Sequence, residues 1–425
     1  MNVVSPPAFQ AIQTGGLLEV AASTVLTGAL NYANTLLLGR NLAANEYGQY
    51  AALTALFLAM TVIPSTVQQQ AALESARGQQ QAALESARGQ QAALEGARGL
   101  KLNTRTLILG GLLSAIGLTA LTPWLSTAMG LPSVWLVSLA ALMPAYALLG
   151  FWRGLLQGEG QLRSLAVNWL LEHSLKIVLT LALWHFGGLE AAVLGLFASV
   201  LLALCFVPRR AALNRLEFAR NNAQTAQNAS VNQLAQAALT QGDLLAAKAF
   251  LPAFDAGLYA GVGILTRSVT LLSAAVTTVV LPELARSGPS GRTRLLSSLP
   301  IMLGIILTIS SAFAGPELIT LTLGERYRDG AGWLTLSSLA ATLYALVNAI
   351  ASVRIARDDT FSARLLLLTA AMQAVAFALW HDQAQTIASV QVGSLLILTA
   401  LLLRPETRKP SHPTTNEVKH VLQRL

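Results

Sequence analysis

A set of ionisable side chains lies inside long apolar stretches of the sequence, where a charge is costly if the stretch crosses a membrane. The set consists of Glu172, His173, Lys176, Asp243, Lys248 and Arg267. Lysine and arginine bind phosphate, whereas carboxylates and histidine take part in proton or cation transfer. Such groups are typical of a protein that binds a charged substrate at membrane depth.

Glu172 and Lys176 are four residues apart, so they share one face of a helix. Two interpretations stay open for them. They form an internal ion pair that neutralises both charges, or Glu172 holds Lys176 in place to contact a substrate phosphate. His173 is interpreted as a packed side chain or as a proton-coupling group, because histidine titrates near neutral pH.

Arg267 lies about 15 Å beyond Gly257 along a helix, which places it near the bilayer midplane. Its planar guanidinium suits bidentate phosphate binding, and the alternative is a pair with Asp243 or another helix. Asp243 is expected either to form a structural hydrogen bond or to couple transport to H+ or Na+. Lys248 is a third candidate for phosphate binding, unless its side chain extends to the outer interface. No other cofactor, no metal and no catalytic residue is expected.

Composition restricts the class of protein. Of the 425 residues, 54% are hydrophobic and 11% are charged, whereas a soluble domain has about 25% charged residues. This composition excludes a soluble enzyme and a disordered protein. A disulfide scaffold is excluded because Cys205 is the only cysteine. We predict an all-α polytopic membrane protein.

A membrane-crossing helix needs about 20 mostly apolar residues. No basic segment precedes the first apolar stretch, so we expect no cleaved signal peptide. The predicted spans lie near residues 15–38, 47–67, 105–128, 133–153, 164–186, 189–207, 231–251, 257–285, 296–322, 331–354, 361–381 and 383–403.

Orientation follows from the loops, because Lys and Arg concentrate on the cytoplasmic side. Most of the 28 basic residues, Arg153 included, lie in or beside alternate loops and the tail, whereas the opposite loops contain Arg40, Arg326 and Arg328. We therefore predict a multi-pass membrane protein with both termini cytoplasmic. This distribution explains the net charge of +8 without a nucleic-acid partner.

A short repeat occurs near the start of the chain. Residues 68–78 and 79–89 both read QQQAALESARG, and residues 90–99 read QQAALEGARG. A period of 11 residues is close to three helical turns, so we expect a helical extension of the second span. The repeat is either a tandem duplication without a function of its own or a partner-binding or gating arm.

A second repeat spans the whole chain. With a shift of 209 residues, Glu46-Tyr47-Gly48-Gln49-Tyr50 aligns with Asp255-Ala256-Gly257-Leu258-Tyr259, and Asn34 aligns with Asp243. The two halves are thus predicted to be six-helix lobes related by a pseudo-two-fold axis along the membrane normal, with the substrate site between them. The predicted divisions are lobes at 1–207 and 231–403, a linker at 208–230 and a basic cytoplasmic tail at 404–425.

Several segments, taken in order, resemble a known family. The segment Gly39 to Tyr50 is similar to the "GR.L…EYG.Y" pattern after the first helix of Wzx-type polysaccharide flippases. Gly242 to Tyr259 with Leu281-Pro282 resembles their seventh and eighth helices, and Gly315 to Leu318 with Leu323 to Tyr327 resembles the exit of the ninth. These proteins belong to the multidrug/oligosaccharidyl-lipid/polysaccharide (MOP) exporter superfamily, which includes MATE transporters.

The resemblance implies a non-enzymatic flippase of the bacterial inner membrane. It would move a lipid-linked oligosaccharide, a polyprenyl-pyrophosphate sugar unit, across that membrane for polysaccharide biosynthesis. Implied partners are that substrate, membrane lipids and a polysaccharide polymerase or ligase. Three alternatives stay open: a MATE-like drug or cation antiporter, a lipid II flippase and a membrane glycosyltransferase or ligase. The sequence has no GxxxxGK[ST] match, so ATP hydrolysis is not expected.

Overall fold

The computed structural model describes residues 7–69, 71–72, 75, 104–208, 223–287, 290–355 and 360–404. Within these residues the chain is helical and has no strand. A short 3₁₀ helix, Glu325–Gly330, connects the eighth and ninth α-helices. The α-helices are α1 (Pro7–Asn41), α2 (Ala44–Met60), α3 (Thr104–Met129), α4 (Ser133–Gly158), α5 (Leu162–Cys205), α6 (Ala223–Phe250), α7 (Ala253–Ser287), α8 (Gly291–Leu323), α9 (Ala331–Ile355), α10 (Thr360–Leu379) and α11 (Ala384–Leu402).

The long element α5 is a helical hairpin. Its backbone leaves the helical conformation at Gly187 and at Gly188, whose φ of 63° favours glycine. The two arms then pack against each other, and the Asn168 side-chain amide donates a hydrogen bond to the carbonyl oxygen of Ala203 at 2.9 Å. The hairpin therefore supplies two membrane spans.

The helices coincide with the predicted spans to within a few residues, except that α1 and α6 each begin eight residues earlier than predicted. Nine helices of the described chain are long and apolar enough to cross a membrane, with the α5 hairpin counted once. The helices α1 and α6 complete the twelve spans, and the polar residues Gln236, Gln241 and Asp243 explain the weak hydropathy of α6. The prediction of an all-α, polytopic membrane fold is confirmed.

The outer faces of the helices are apolar, as expected for contact with lipid. Phe186 and Phe313 are 85% and 88% exposed, and many leucines and isoleucines are exposed beside them. The polar and charged side chains described below lie on the inner faces. This distribution is typical of a multi-pass membrane protein.

Equivalent positions of the two lobes form equivalent hydrogen bonds. The amide of Asn34 donates to the hydroxyl of Tyr50 at 3.1 Å, and the hydroxyl of Tyr259 donates to the carboxylate of Asp243 at 3.0 Å. Each pair joins the first helix of its lobe to the second, and the 209-residue shift relates one pair to the other. The sequence repeat is thus visible as a structural repeat.

Parts of three predicted segments lie outside the described residues. These are most of the tandem repeat, residues 209–222 of the expected linker and the tail from residue 405. The remainder of the expected linker differs from the prediction, because α6 already begins at Ala223.

The start of the first repeat copy packs against a stripe of glycines on α4. After a turn at Thr61 the second span continues as a helix over residues 62–69. Gly150, Gly154 and Gly158 recur every four residues on α4, and they contact Pro64, Gln68 and Ala72 with Ser75, respectively. Small residues let helix backbones approach closely in membranes, so this copy has a packing role.

We expect Gly154→Leu to destabilise the protein by about 1–3 kcal/mol or more, because overpacking forces backbone shifts. A Cβ at Gly154 would overlap the carbonyl oxygen of Gln68. The measurement is thermal unfolding of the purified protein in detergent. Gly117→Leu is the matched control, since a Cβ at that lipid-facing glycine of α3 meets no atom within 4 Å. Equal melting temperatures for the two variants would contradict the packing role.

Candidate functional site

A buried ion pair organises the N-terminal lobe. Arg153 of α4 and Glu172 of α5 are each 5% exposed, and their nearest charged atoms are 2.6 Å apart. The Arg153 Nε also donates to the side-chain oxygen of Asn168 at 2.8 Å. Since Asn168 bonds to Ala203 in the second arm of α5, this network holds α4 and both arms together.

This pairing differs from the sequence-based interpretations. Glu172 does not pair with Lys176, although the two side chains share a helix face, and Glu172 does not hold Lys176 in place by an ion pair. Arg153 had been counted with the cytoplasmic loops, yet it lies within α4, five residues before the helix end at Gly158. Arginine reaches Glu172 from the neighbouring helix and binds it with charge-assisted hydrogen bonds.

Lys176 is consequently left with a neutral partner. Its ammonium donates to the side-chain oxygen of Asn31 in α1 at 2.7 Å. One turn further along α5, the hydroxyl of Thr180 donates to the side-chain oxygen of Asn34 at 2.6 Å. Together with the Asn34–Tyr50 bond, these contacts fix α5 against α1 and α2.

His173 makes a local contact. Its Nδ1 lies 3.0 Å from the backbone carbonyl oxygen of Trp169, one turn earlier in α5. A carbonyl only accepts hydrogen bonds, so this nitrogen carries a proton and donates. The contact agrees with a packed histidine, and its role in coupling stays a prediction.

The C-terminal lobe contains a polar cavity of about 50 Å³, which is large enough for a few water molecules. Helices α6, α7, α9 and α11 contribute to it. Its polar lining consists of Thr240, Asp243, Tyr259, Thr266, Arg267, Thr270, Ser337, Tyr344 and Gln391.

Asp243 and Arg267 therefore face the same cavity, but they do not form an ion pair. Asp243 accepts from Tyr259, and among the described residues no carboxylate lies within 4.0 Å of the Arg267 guanidinium. The predicted alternative of a direct ion pair between Arg267 and Asp243 is therefore wrong. Lys248 is only 6% exposed and lies outside this lining, so it does not extend freely to the surface.

The charged groups of the two lobes are near one another. Lys176 lies within electrostatic range of Glu172 and of Arg267, and Arg267 lies within range of Asp243. Among these site residues the basic side chains outnumber the acidic ones. Arg153, Lys176 and Lys248 are buried and Arg267 is half-buried, against a buried Glu172 and a half-buried Asp243.

Sequence reasoning missed Arg153 and Asn31. The signal for Arg153 was available, because it is preceded by the apolar run of α4 and followed by two further leucines. It was assigned to a loop because its span was predicted to end there. No sequence signal distinguishes Asn31 from other polar residues of α1.

Comparisons with solved structures identify the fold. The chain is similar to an inward-facing multidrug resistance MATE family transporter of the MOP superfamily, with a TM-score of 0.66 and 15% identity over 90% of this chain and 95% of the other. It is also similar to lipid II flippase MurJ in an inward closed conformation, with a TM-score of 0.64 and 13% identity over 90% and 86%. The proteins in both comparisons are transporters or flippases.

A further solved structure shares the fold. An outward-facing MATE family transporter gives a TM-score of 0.56 at 13% identity over 94% of this chain and 96% of the other. No protein-family model and no curated protein sequence matches the chain. At these identities the likeness establishes the two-lobed fold of MATE transporters and MurJ, and the function is argued separately.

The ion pair generates a prediction about stability. Arg153→Gln leaves the buried Glu172 carboxylate without a cation and should cost about 3–5 kcal/mol. Arg153→Gln/Glu172→Gln should recover most of that loss, because both charges are then absent. Unfolding free energies from a double-mutant cycle in one detergent measure the coupling. Glu172→Gln/Lys176→Gln is the matched cycle for the pair that the sequence favoured, and a larger coupling in that cycle would contradict the assignment.

Proposed function

We propose that this protein is a flippase that moves a lipid-linked oligosaccharide across the bacterial inner membrane by alternating access of its two lobes. The observation that carries the proposal is the pair of cations at mid-depth, Lys176 in one lobe and Arg267 in the other. Neither forms an ion pair with a carboxylate within the described residues. A substrate phosphate would supply the missing negative charge.

The charge balance favours an anionic substrate. A pyrophosphate headgroup has to be neutralised when it enters a low-dielectric cavity. Because Glu172 forms its ion pair with Arg153, Lys176 has no carboxylate partner and is available to bind the substrate. Arginine binds phosphate with two parallel hydrogen bonds, and the hydroxyls of Thr266, Thr270 and Ser337 line the cavity beside Arg267.

The fold supports transport between two lobes. In this proposal the sugar occupies the wet space between the lobes, the phosphates lie at Lys176 and Arg267, and the polyprenyl chain stays in lipid. The termini are cytoplasmic in the proposed orientation, and a polymerase or ligase on the outer side receives the sugar unit. Lys248 has a smaller role here than the sequence suggested, because it lies outside the lining of the cavity.

A MATE-like exporter of drugs or cations is the second candidate, since such transporters share the fold. An excess of carboxylates in the cavity would favour it, because they attract organic cations. Here the cavity contains one carboxylate and one cation, Asp243 and Arg267, and Lys176, which has no carboxylate partner, adds a positive charge outside it. This balance favours the flippase. A membrane glycosyltransferase would need catalytic carboxylates in long external loops, whereas Glu172 and Asp243 lie within the helices α5 and α6.

Arg267→Ala should reduce transport tenfold or more. A charged hydrogen bond contributes about 1.5–3 kcal/mol, and about 1.4 kcal/mol corresponds to a factor of ten. Arg267→Lys should keep part of the activity, because the charge survives and the bidentate geometry does not. The measurement is polysaccharide export by a strain that depends on the variant, corrected for protein level.

Two controls accompany this experiment. Arg364→Ala removes an exposed arginine of α10 outside the cavity and should leave export unchanged. Lys248→Ala should have a smaller effect than Arg267→Ala. Normal export by Arg267→Ala at normal protein level would refute the phosphate-binding role.

We further propose that Asp243 is the coupling group. Its counterpart in the other lobe is the neutral Asn34, so the carboxylate occurs at one of two otherwise equivalent positions. Asp243→Asn preserves the hydrogen bond to Tyr259 and removes the charge. We expect transport by this variant to become insensitive to imposed H+ and Na+ gradients, measured in proteoliposomes. Retained dependence on either gradient would exclude Asp243 as the coupling group.

A further inference from the structure

The two lobes touch backbone to backbone at one end of the molecule. Gly48 in the first turns of α2 and Gly257 in the first turns of α7 are counterparts in the 209-residue repeat. A Cβ at Gly48 would lie 2.9 Å from the Gly257 Cα, and a Cβ at Gly257 would overlap the carbonyl oxygen of Ala44. Residues that contact their own repeat counterparts lie on the pseudo-two-fold axis, so α2 and α7 cross on that axis.

Two arginines join the lobes at the same end. Arg40, near the end of α1, donates to the carbonyl oxygen of Leu321 in the last turn of α8 at 2.8 Å. In return Arg326, just after α8, donates to the carbonyl oxygen of Leu42, just after α1, at 2.9 Å. The last carbonyls of a helix lack partners within the helix and carry partial negative charge. Each arginine therefore caps a helix of the opposite lobe.

Aromatic packing fills the space between these contacts. The rings of Tyr47 and Tyr327 meet edge to face with centroids 6.4 Å apart, and both side chains are fully buried. The Tyr327 ring also lies directly against Gly261, one turn below Gly257. Water is thereby excluded from the lobe interface at this end.

We propose that these contacts form a gate, closed in this structure, whose lock is the reciprocal capping of helix ends by Arg40 and Arg326. The name clasp is used below for Arg40, Leu42, Gly48, Gly257, Leu321 and Arg326. The role of the clasp in transport rests on the proposed function by alternating access. Its role in holding the two lobes together does not. In the proposed orientation the clasp lies on the outer side, and its opening releases the substrate outwards.

The chemistry of the clasp makes opening reversible. Hydrogen bonds from arginine to carbonyl oxygens can be exchanged for hydrogen bonds to water, and water enters as the lobes separate. At the crossing of α2 and α7, the glycines have no side chain that must be withdrawn from the partner helix when the lobes separate. The clasp is therefore closed by close packing and released by hydration, without a buried ion pair to break.

The test measures a distance across the clasp in the complete protein without substrate. Spin labels are attached at Ala43→Cys and Asp329→Cys, two exposed positions on opposite lobes, in a Cys205→Ser background. Double electron–electron resonance in lipid nanodiscs then reports the distance distribution. We expect a predominantly short distance for this parent.

Gly257→Val should convert the distribution to a longer distance, because its side chain cannot fit against Ala44 when the clasp is closed. Arg40→Ala and Arg326→Ala should each raise the ratio of long to short distances about tenfold, since each removes a charged hydrogen bond. Gly117→Val, the same change at the lipid-facing glycine, should match the parent.

An unchanged short distance in both arginine variants would overturn the proposal, as would an unchanged distance in folded Gly257→Val. If Gly257→Val does not fold, the two arginine variants decide, because Arg40 and Arg326 are exposed and their removal leaves no cavity. The distances are recorded without substrate, so an error in the proposed substrate leaves this test valid.

Discussion

The central physical constraint on this protein is that charge buried at membrane depth needs a partner. Arg153 satisfies that need for Glu172 with a 2.6 Å ion pair, and the same network joins α4 to both arms of the α5 hairpin. One consequence is structural, because three helices are held by one buried cluster. The other concerns Lys176, whose side-chain nitrogen contacts the neutral Asn31 of α1 and no carboxylate.

The two lobes share one helical framework because of the sequence repeat, and they differ in the charge of a few side chains. Asn34–Tyr50 and Asp243–Tyr259 are equivalent hydrogen bonds, yet only the second contains a carboxylate. Arg267 stands beside Asp243 in a hydroxyl-lined cavity without forming an ion pair with it. A symmetric scaffold with asymmetric charges suits a transporter in which one lobe responds to an ion while both lobes contact the substrate.

The contacts between the lobes described above lie at one end of the molecule. A pseudo-two-fold axis forces equivalent residues to meet where α2 and α7 cross, and only glycine permits the approach seen at Gly48 and Gly257. Reciprocal arginine capping is available only because α1 and α8 end side by side.

The sequence by itself determined the membrane class, the helical spans and the repeat of 209 residues. Each of these depends on local hydropathy or on direct comparison of residues along the chain. None of them requires knowing which residues contact each other in the folded protein. It also identified Lys176, Asp243 and Arg267 as unusual, because a charge inside an apolar run is visible without a structure.

Tertiary structure alone decided which charges are neutralised. Glu172 has a basic neighbour four residues away in sequence, but its ion-pair partner is Arg153 of another helix, and only the packing of α4 against α5 brings these two residues together. The meeting of Gly48 with Gly257 was likewise decided by helix packing, because residues 209 positions apart come into contact only through the relative placement of the two lobes.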